Sequence, residues 1–306
     1  MNIIGKRFWY YLIAGIIIVI GIASLAVFGL KSGIEFSSGS LITVGFEQQV
    51  DQNDLKQELV NLGYGNTLIQ RTGQGDFILR TQELTGTVKT ALETALTDKF
   101  GKLQIKEFDA VSAMIASEMT KNAGIAVVVA AVAMLLYITW AFRRMPNPFR
   151  FGVCAIVGLA YDVFVVIGVF SILGGILNWE INLMFITGVL AVIGYSINNI
   201  VIVFDRIREN RGRGISPSFE VIANNSVVET LSRSFNTSLT TLFALFALAL
   251  FVGASIQNFV IVLIIGVISG VFTSTCIAPT LLVVWEKHEW GRFLSWLPVA
   301  SRTRGG

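Results

Sequence analysis

The chain has 306 residues, of which 54% are hydrophobic and only 14% charged, with a mean hydropathy of +0.70. A soluble domain carries about a quarter charged residues, so this composition reads as an α-helical integral membrane protein. The formal net charge of +3 comes from basic residues that mark loops rather than a basic face, which argues against a nucleic-acid partner.

A membrane span takes about 20 apolar residues. Residues 8–30 are free of charge up to Leu30 and follow Lys6 and Arg7. A signal peptide has a shorter apolar core, about 7–15 residues, so this segment reads as an uncleaved first helix. Residues 31–120 are not apolar throughout. "LITVGF" (41–46) alternates as a strand. "DQNDLKQELVNLG" (51–63) has Leu55, Leu59 and Leu62 on one helical face, with Gly63 as its stop. "NTLIQR" (66–71) and "DFILRT" (76–81) read as strands around the turn "TGQG". A second helix over 85–101 and a last strand over 102–110 complete a βαββαβ order, the ferredoxin-like or split βαβ pattern.

Further spans are expected at 123–142, at 151–173 (interrupted only by Asp162) and at 181–204. Residues 234–285 hold no charge and are too long for one span. The stretch "GASIQN" (253–258) supplies a turn, giving helices near 236–252 and 258–285 and six spans in all. The segment 216–231, with Ser216 as cap and Pro217 in its first turn, reads as an amphipathic helix along the membrane surface, either a solvated connector or a lever. The expected plan is therefore a first helix over 1–30, an extracytoplasmic α+β domain over 31–120, spans two to six over 121–290 with a cytoplasmic loop at 205–233, and a cytoplasmic tail at 291–306.

Lysine and arginine gather beside helix one, at 143–150, at 205–214, and at Lys287, Arg292, Arg302 and Arg304. With six spans these fall on one side, so both termini are expected in the cytoplasm. Cys154 and Cys276 lie in apolar runs and read as small buried hydrophobes rather than a disulfide or metal site. His288, in a charged stretch, reads as a solvated residue. No metal site, cofactor or nucleotide-binding G-x-x-x-x-G-K-[S/T] loop is expected.

The informative residues are polar ones inside apolar spans. Asp162 sits about 16 Å into helix three at 1.5 Å per residue, near the midplane. A charge there costs about 2.5–3.5 kcal/mol on insertion scales. Two readings stand: a protonatable group in a proton or ion path, or a carboxyl bonded to a neighbouring helix for packing. In "GYSINNIVIVFDRIREN" (194–210), Tyr195 and Asn199 share a helical face, and Ser196 nearly does. With Asn198 and Gly194 they form a polar stripe facing protein or water, where Asn199 either marks a transport path or serves as interhelical glue. An amide does not carry a proton on and off at physiological pH. Arg233 opens helix five, either as a charge partner in a seam between helices four and five or as an interfacial arginine reaching to water.

At these residues the chain resembles a known family. "IGYSINNIVIVFDRIREN" (193–210) resembles the fourth-helix signature of SecF, a half of the RND superfamily that assists bacterial protein export. "TLSRSFNTSLTTL" (230–242), "YDVFVVIGVF" (161–170) and "GIEFSSGS" (33–40) resemble the same family's motifs at helix five, at helix three and after helix one. The matching positions are Gly33, Glu35, Phe36 and Gly39 in the first motif, and Asp205, Arg206, Arg208, Glu209 and Asn210 at the end of helix four. The resemblance implies a multi-pass subunit of the bacterial inner membrane. It implies partnership with a SecD-like half and the SecYEG channel, exported unfolded polypeptides as substrates, and use of the proton gradient rather than enzymatic chemistry. Four positions depart from the family pattern: Asn199 stands for Asp, Glu35 for Asp, Ser38 for Gly and Tyr161 for His. The first removes a presumed proton carrier, while Arg233 and Asp162 are retained; the resemblance then implies either a titratable site at Asp162 or a titrating carboxylate supplied by the SecD-like half, with Asn199 keeping the polar seam hydrogen-bonded. A serine suits position 38 only where φ is not strongly positive.

Three other readings compete. An RND-type half that exports small molecules or lipids would need a second half to make the usual 12 or so helices. An intramembrane aspartyl protease is suggested by Tyr161-Asp162, which resembles the presenilin-like Tyr-Asp pair. The Gly-x-Gly-Asp that supplies the second aspartate is missing, and one carboxyl does not divide acid and base roles. A purely structural scaffold is the third.

Overall fold

The computed structural model describes residues 1–72, 75–84 and 86–289. Two compact units emerge, Ser32–Ile125 on one hand and Met1–Lys31 with Ala126–Gly306 on the other. The expected turn residues 73–74, the first residue of the helix expected at 85, and the tail with Arg292, Arg302 and Arg304 lie outside the described residues.

In the smaller unit a single turn, α2 (Ile34–Ser37), precedes β1 (Gly39–Phe46), α3 (Gln52–Asn61), β2 (Leu68–Arg71), β3 (Phe77–Thr81), α4 (Gly86–Phe100) and β4 (Leu103–Val111). The four strands pair antiparallel in the order β2-β3-β1-β4. That is the strand order of the split βαβ arrangement. Alternation does the sorting. Ile42, Val44, Phe77 and Leu79 face Leu55 and Leu59 of α3 and Leu92 and Leu96 of α4 in one buried cluster. Asp51 caps α3, accepting from the backbone N–H of Asn53 at 2.7 Å, and Gly63 follows that helix at φ +88°.

Six helical stretches are long and apolar enough to cross a membrane. They comprise α1 (Arg7–Phe28), α5 (Ala113–Ala141), α6 (Pro148–Leu177), α7 (Leu183–Gly212), α8 (Phe219–Phe251) and a last span made of α9 (Ala254–Phe272), a π turn (Thr273–Ile277) and α10 (Ala278–Glu286). Helices α6, α7 and the last span form the interior, whereas α1 and α5 bury little surface within the chain. Glycines set the contacts. A Cβ on Gly21 of α1 would lie 2.7 Å from the Phe164 ring, and one on Gly168 of α6 would lie 3.1 Å from the Cα of Gly21. The two backbones therefore touch, and Ser24 donates to Ser171 across the same seam at 2.9 Å. At one end of α6, Phe142, Phe151 and Phe204 interlock with centroids 5.2–6.1 Å apart.

Three expectations change. The loop expected at 205–233 shrinks to residues 213–218, because α7 continues to Gly212 and α8 begins at Phe219. The surface helix expected at 216–231 is the first part of α8 itself, a single helix of 33 residues. No glycine or proline interrupts 219–251, and serine and threonine hydroxyls bond back to carbonyls four residues earlier, as at Ser226, Thr230 and Thr237. Likewise only Val252 and Gly253 separate α8 from α9, a tighter turn than the expected 253–258.

Candidate functional site

Asp162 lies in the middle of α6 with no exposed surface. Three hydroxyls surround its carboxyl. Ser196 of α7 donates to one oxygen; Ser269 of α9 (2.5 Å) and Thr273 of the π turn (2.6 Å) donate to the other. Ser196 and Thr273 are also fully buried. Among the described residues no lysine or arginine pairs with Asp162. Three hydrogen bonds to one buried carboxyl offset much of the desolvation of a charge.

Close approach of three helices builds this cage. A Cβ on Gly158, one turn before Asp162, would lie 2.6 Å from Cγ2 of Thr273. A Cβ on Gly270 would lie 3.1 Å from Oγ of Ser196. Proline at 279 lacks an N–H and would press on the carbonyl of Thr275 in a regular helix. The chain instead takes the wider π turn immediately before it, with the Ala278 N–H bonded to the carbonyl of Thr273. Ser274 and Thr275 both donate to the carbonyl of Val271, the latter at 2.6 Å. Such single π turns concentrate at functional sites.

Sequence reasoning picked out Asp162 and Ser196 but passed over Ser269 and Thr273. Their signal was available: two hydroxyl residues four apart in a charge-free span, one helical face, followed six residues later by a proline.

The remaining candidates do not join the cage. Tyr195 is half-buried and donates to Ser238 of α8 at 3.0 Å. Asn199 is fully buried, and among the described residues neither its Nδ2 nor its Oδ1 has a hydrogen-bond partner; the Ser234 hydroxyl of α8 is in the same condition. The register carried by Tyr195–Ser238 and Arg206–Glu229 puts Asn199 and Ser234 at one level. Two candidates lie at the surface of this chain. Asn198 points outward, because it is one residue, or about 100°, round the helix from buried Asn199. Arg233 is exposed on α8 and makes no ion pair among the described residues, so it is not a charge partner within a seam of this chain. It shares an exposed face with Asn236, Thr237 and Thr240.

The motif residues at the end of α7 form a clamp. Arg206 holds Glu209 and Glu229 at 2.5 Å each, and Asp205 pairs with Arg208 at 2.5 Å. Asn210 donates to Ser226 (3.0 Å) and Glu229 (2.9 Å) of α8. On the same side Arg7 bonds Glu220 (2.8 Å) and Glu289 (2.6 Å), Lys287 joins Glu220, and Arg150 meets Glu286 at 2.9 Å. The basic ends of α1, α6 and α7 and of the last span thus meet at one end of the bundle.

In the first motif, Gly33 precedes α2, Glu35 is half-buried within it, and Phe36 lines a hollow of about 470 Å³ with Ala116, Ser117 and Lys121. Gly39 has φ +125°, and a Cβ there would lie 2.6 Å from the Thr81 carbonyl. Ser38 has φ +62° and ψ 167°. The condition under which serine would suit this turn is not met, so the side chain is held in a region that essentially only glycine occupies.

Residues 91–288 match the family described as protein export membrane protein SecD/SecF, C-terminal, and residues 23–50 match the SecD/SecF GG motif. The protein translocase subunit SecF of Thermobaculum terrenum is 37% identical over 95% of this chain and 96% of its own length. That of Anaerolinea thermophila is 38% identical with the same coverage. The SecDF of Bacillus subtilis is 30% identical over 93% of this chain, which spans 38% of it. Among solved structures, the translocon-associated membrane protein SecDF of Thermus thermophilus superposes with a TM-score of 0.82 at 28% identity, over 94% of this chain and 39% of that one. Relatives aligned over nearly their whole length, and a family match running from α4 through the last span, carry the conclusion: the chain belongs to the SecD/SecF family of protein-export membrane proteins.

Proposed function

We propose that this protein works as the SecF half of an export complex, beside a SecD-like half and the SecYEG channel, and that it draws on the proton gradient through Asp162. The carrying observation is the Asp162 cage. It is a lone carboxyl at mid-span, bonded by three hydroxyls on two other spans and unpaired with any cation among the described residues. Such a group changes charge on taking up a proton, and a charge crossing the membrane is worth about 2.3 kcal/mol per 100 mV. Asn199 does not titrate and contributes only hydrogen-bonding capacity. The exposed strip of Arg233, Asn236, Thr237 and Thr240 on α8 supports a protein rather than a lipid neighbour, because polar side chains face protein or water within a bilayer. A SecD-like half, bringing its own carboxyl opposite Arg233, fits that strip. The shared basic end of the bundle supports cytoplasmic termini in the bacterial inner membrane, with residues 32–125 outside.

The test is export in cells depleted of the protein and complemented with wild type, Asp162→Asn or Asn199→Asp. The release of an exported protein at the outer face is timed with and without the proton gradient. Asp162→Asn is expected to abolish gradient-dependent release, and Asn199→Asp to leave it intact. Full gradient dependence in Asp162→Asn would remove Asp162 from the path, and unchanged export on depletion would remove the export role.

A further inference from the structure

The π turn of the last span and the Asp162 cage share a residue, Thr273. Four other threonines in helices bond backward to the carbonyl four residues earlier: Thr237 to Arg233, Thr241 to Thr237, Thr275 to Val271 and Thr280 to Cys276. Thr273 does not. Its hydroxyl reaches across to Asp162 at 2.6 Å, at the first residue of the π turn. Ser269, one turn earlier on the same face, does likewise at 2.5 Å. Three donors converge on two carboxyl oxygens, an arrangement suited to the ionised, acceptor-only form. A proton on the oxygen shared by Ser269 and Thr273 turns that oxygen into a donor, and one of these two hydroxyls loses its acceptor. Of the two, Thr273 is the one in the π turn, and the carbonyl of Ser269 offers it the backbone bond that Thr275 and Thr280 make.

We propose that Ser269 and Thr273 are positioning residues that make the π turn a hinge set by the protonation of Asp162. Ionised Asp162 holds Thr273 across the seam and keeps the turn wide. Proton uptake frees Thr273 to bond back along its own helix and tightens the turn toward regular α-helix. Removing one π turn rotates everything after it by about 100° relative to α9. The segment that turns is α10, which ends in Glu286 and is followed by Lys287, and so reaches the ion-pair cluster of Arg150, Arg211 and Glu220. This inference rests on the reading of Asp162 as a titrating group and adds where its proton does mechanical work.

The titratable side chains of the surrounding spans are Tyr10 and Tyr11 of α1, Cys154 and Tyr161 of α6, Tyr195 of α7 and Cys276 of the π turn. None bonds the Asp162 carboxyl, while the charges of Arg7, Arg150, Arg211, Glu286, Lys287 and Glu289 are engaged at the bundle end. Phe272, just before the turn, packs with centroids 6.3 Å from both Tyr10 and Tyr161, so tightening of the turn acts on α1 and α6 as well.

The experiment uses the full chain in lipid nanodiscs, with the two native cysteines replaced by alanine and spin labels on cysteines at Val228 of α8 and His288 beyond α10. Pulsed electron-spin distances are recorded between pH 5 and 9. Two distance populations exchanging with pH are expected, with Asp162→Asn fixed in the acid-side population at every pH. Thr273→Val is expected to move the pH midpoint, and Thr273→Ser to restore it, a difference that a merely structural threonine would not produce. One pH-independent distance in the wild type, or unaltered pH dependence in Asp162→Asn and Thr273→Val, overturns the hinge. If the distances are fixed but Asp162→Asn still abolishes gradient-dependent export, the titrating role of Asp162 stands and only the hinge falls. If both are silent, both readings fall.

Discussion

At the residue scale, single positions carry either strain or an uncompensated group, and each has a measurable consequence. Ser38 occupies φ +62° where a Cβ is unfavourable, a cost of about 1–3 kcal/mol. Ser38→Gly is expected to stabilise the chain by about 1 kcal/mol after the extra entropy of glycine in the unfolded state. Thermal melting of the full chain in detergent reads this as an upward shift. Gly39→Ala has the opposite sign. Position 39 combines φ +125° with a Cβ 2.6 Å from the Thr81 carbonyl, so the first strand would lose its register against β3. A loss of about 2 kcal/mol or more is expected in the same measurement. Asn199 illustrates the limits of reading a residue type alone. The sequence marks it as polar inside a span, but only the folded chain shows that its amide is buried and has no hydrogen-bond partner among the described residues.

At the element scale, the last span is the least regular helix and the most informative. Pro279 and the hydroxyls of Ser274 and Thr275 explain its π turn locally, and Gly158 explains why the turn lies against α6. Gly158→Ala would drive a methyl into Cγ2 of Thr273. The expected outcome is a destabilisation of about 1–3 kcal/mol together with impaired gradient-dependent release. Melting and the export assay check the two halves of that statement. A variant that melts lower yet exports normally would uncouple this seam from transport. The sheet unit was readable in order because alternation at period two and glycine stops are local signals. The continuity of α8 was not, because the amphipathic pattern of its first half resembles that of a surface helix. Whether such a stretch lies flat or joins the next helix depends on the groups it meets. Here Glu220, Asn224 and Glu229 meet Arg7, the backbone of Ile3 and Arg206.

At the scale of the whole molecule, the ion pairs at one end of the bundle tie the ends of α1, α6, α7 and α8 and of the last span together. Glu220 is the shared acceptor of Arg7 and Lys287. Glu220→Gln is expected to lower stability by about 1 kcal/mol. The effect should shrink as salt rises, because these pairs are only partly buried. Melting at low and high ionic strength checks it. The sequence by itself determined six spans, the antiparallel sheet unit between the first two, the side on which positive charge gathers, and a carboxyl at mid-span. These follow from hydropathy, periodicity and residue chemistry, all local properties of the chain. Only the tertiary structure decided that Asp162 meets Ser196, Ser269 and Thr273, that Asn198 and Arg233 face outward, and that α8 is a single helix. Those outcomes depend on how each helix is rotated about its axis. Rotation is fixed by glycine contacts such as Gly158 against Thr273 and Gly21 against Gly168, between residues far apart in the chain.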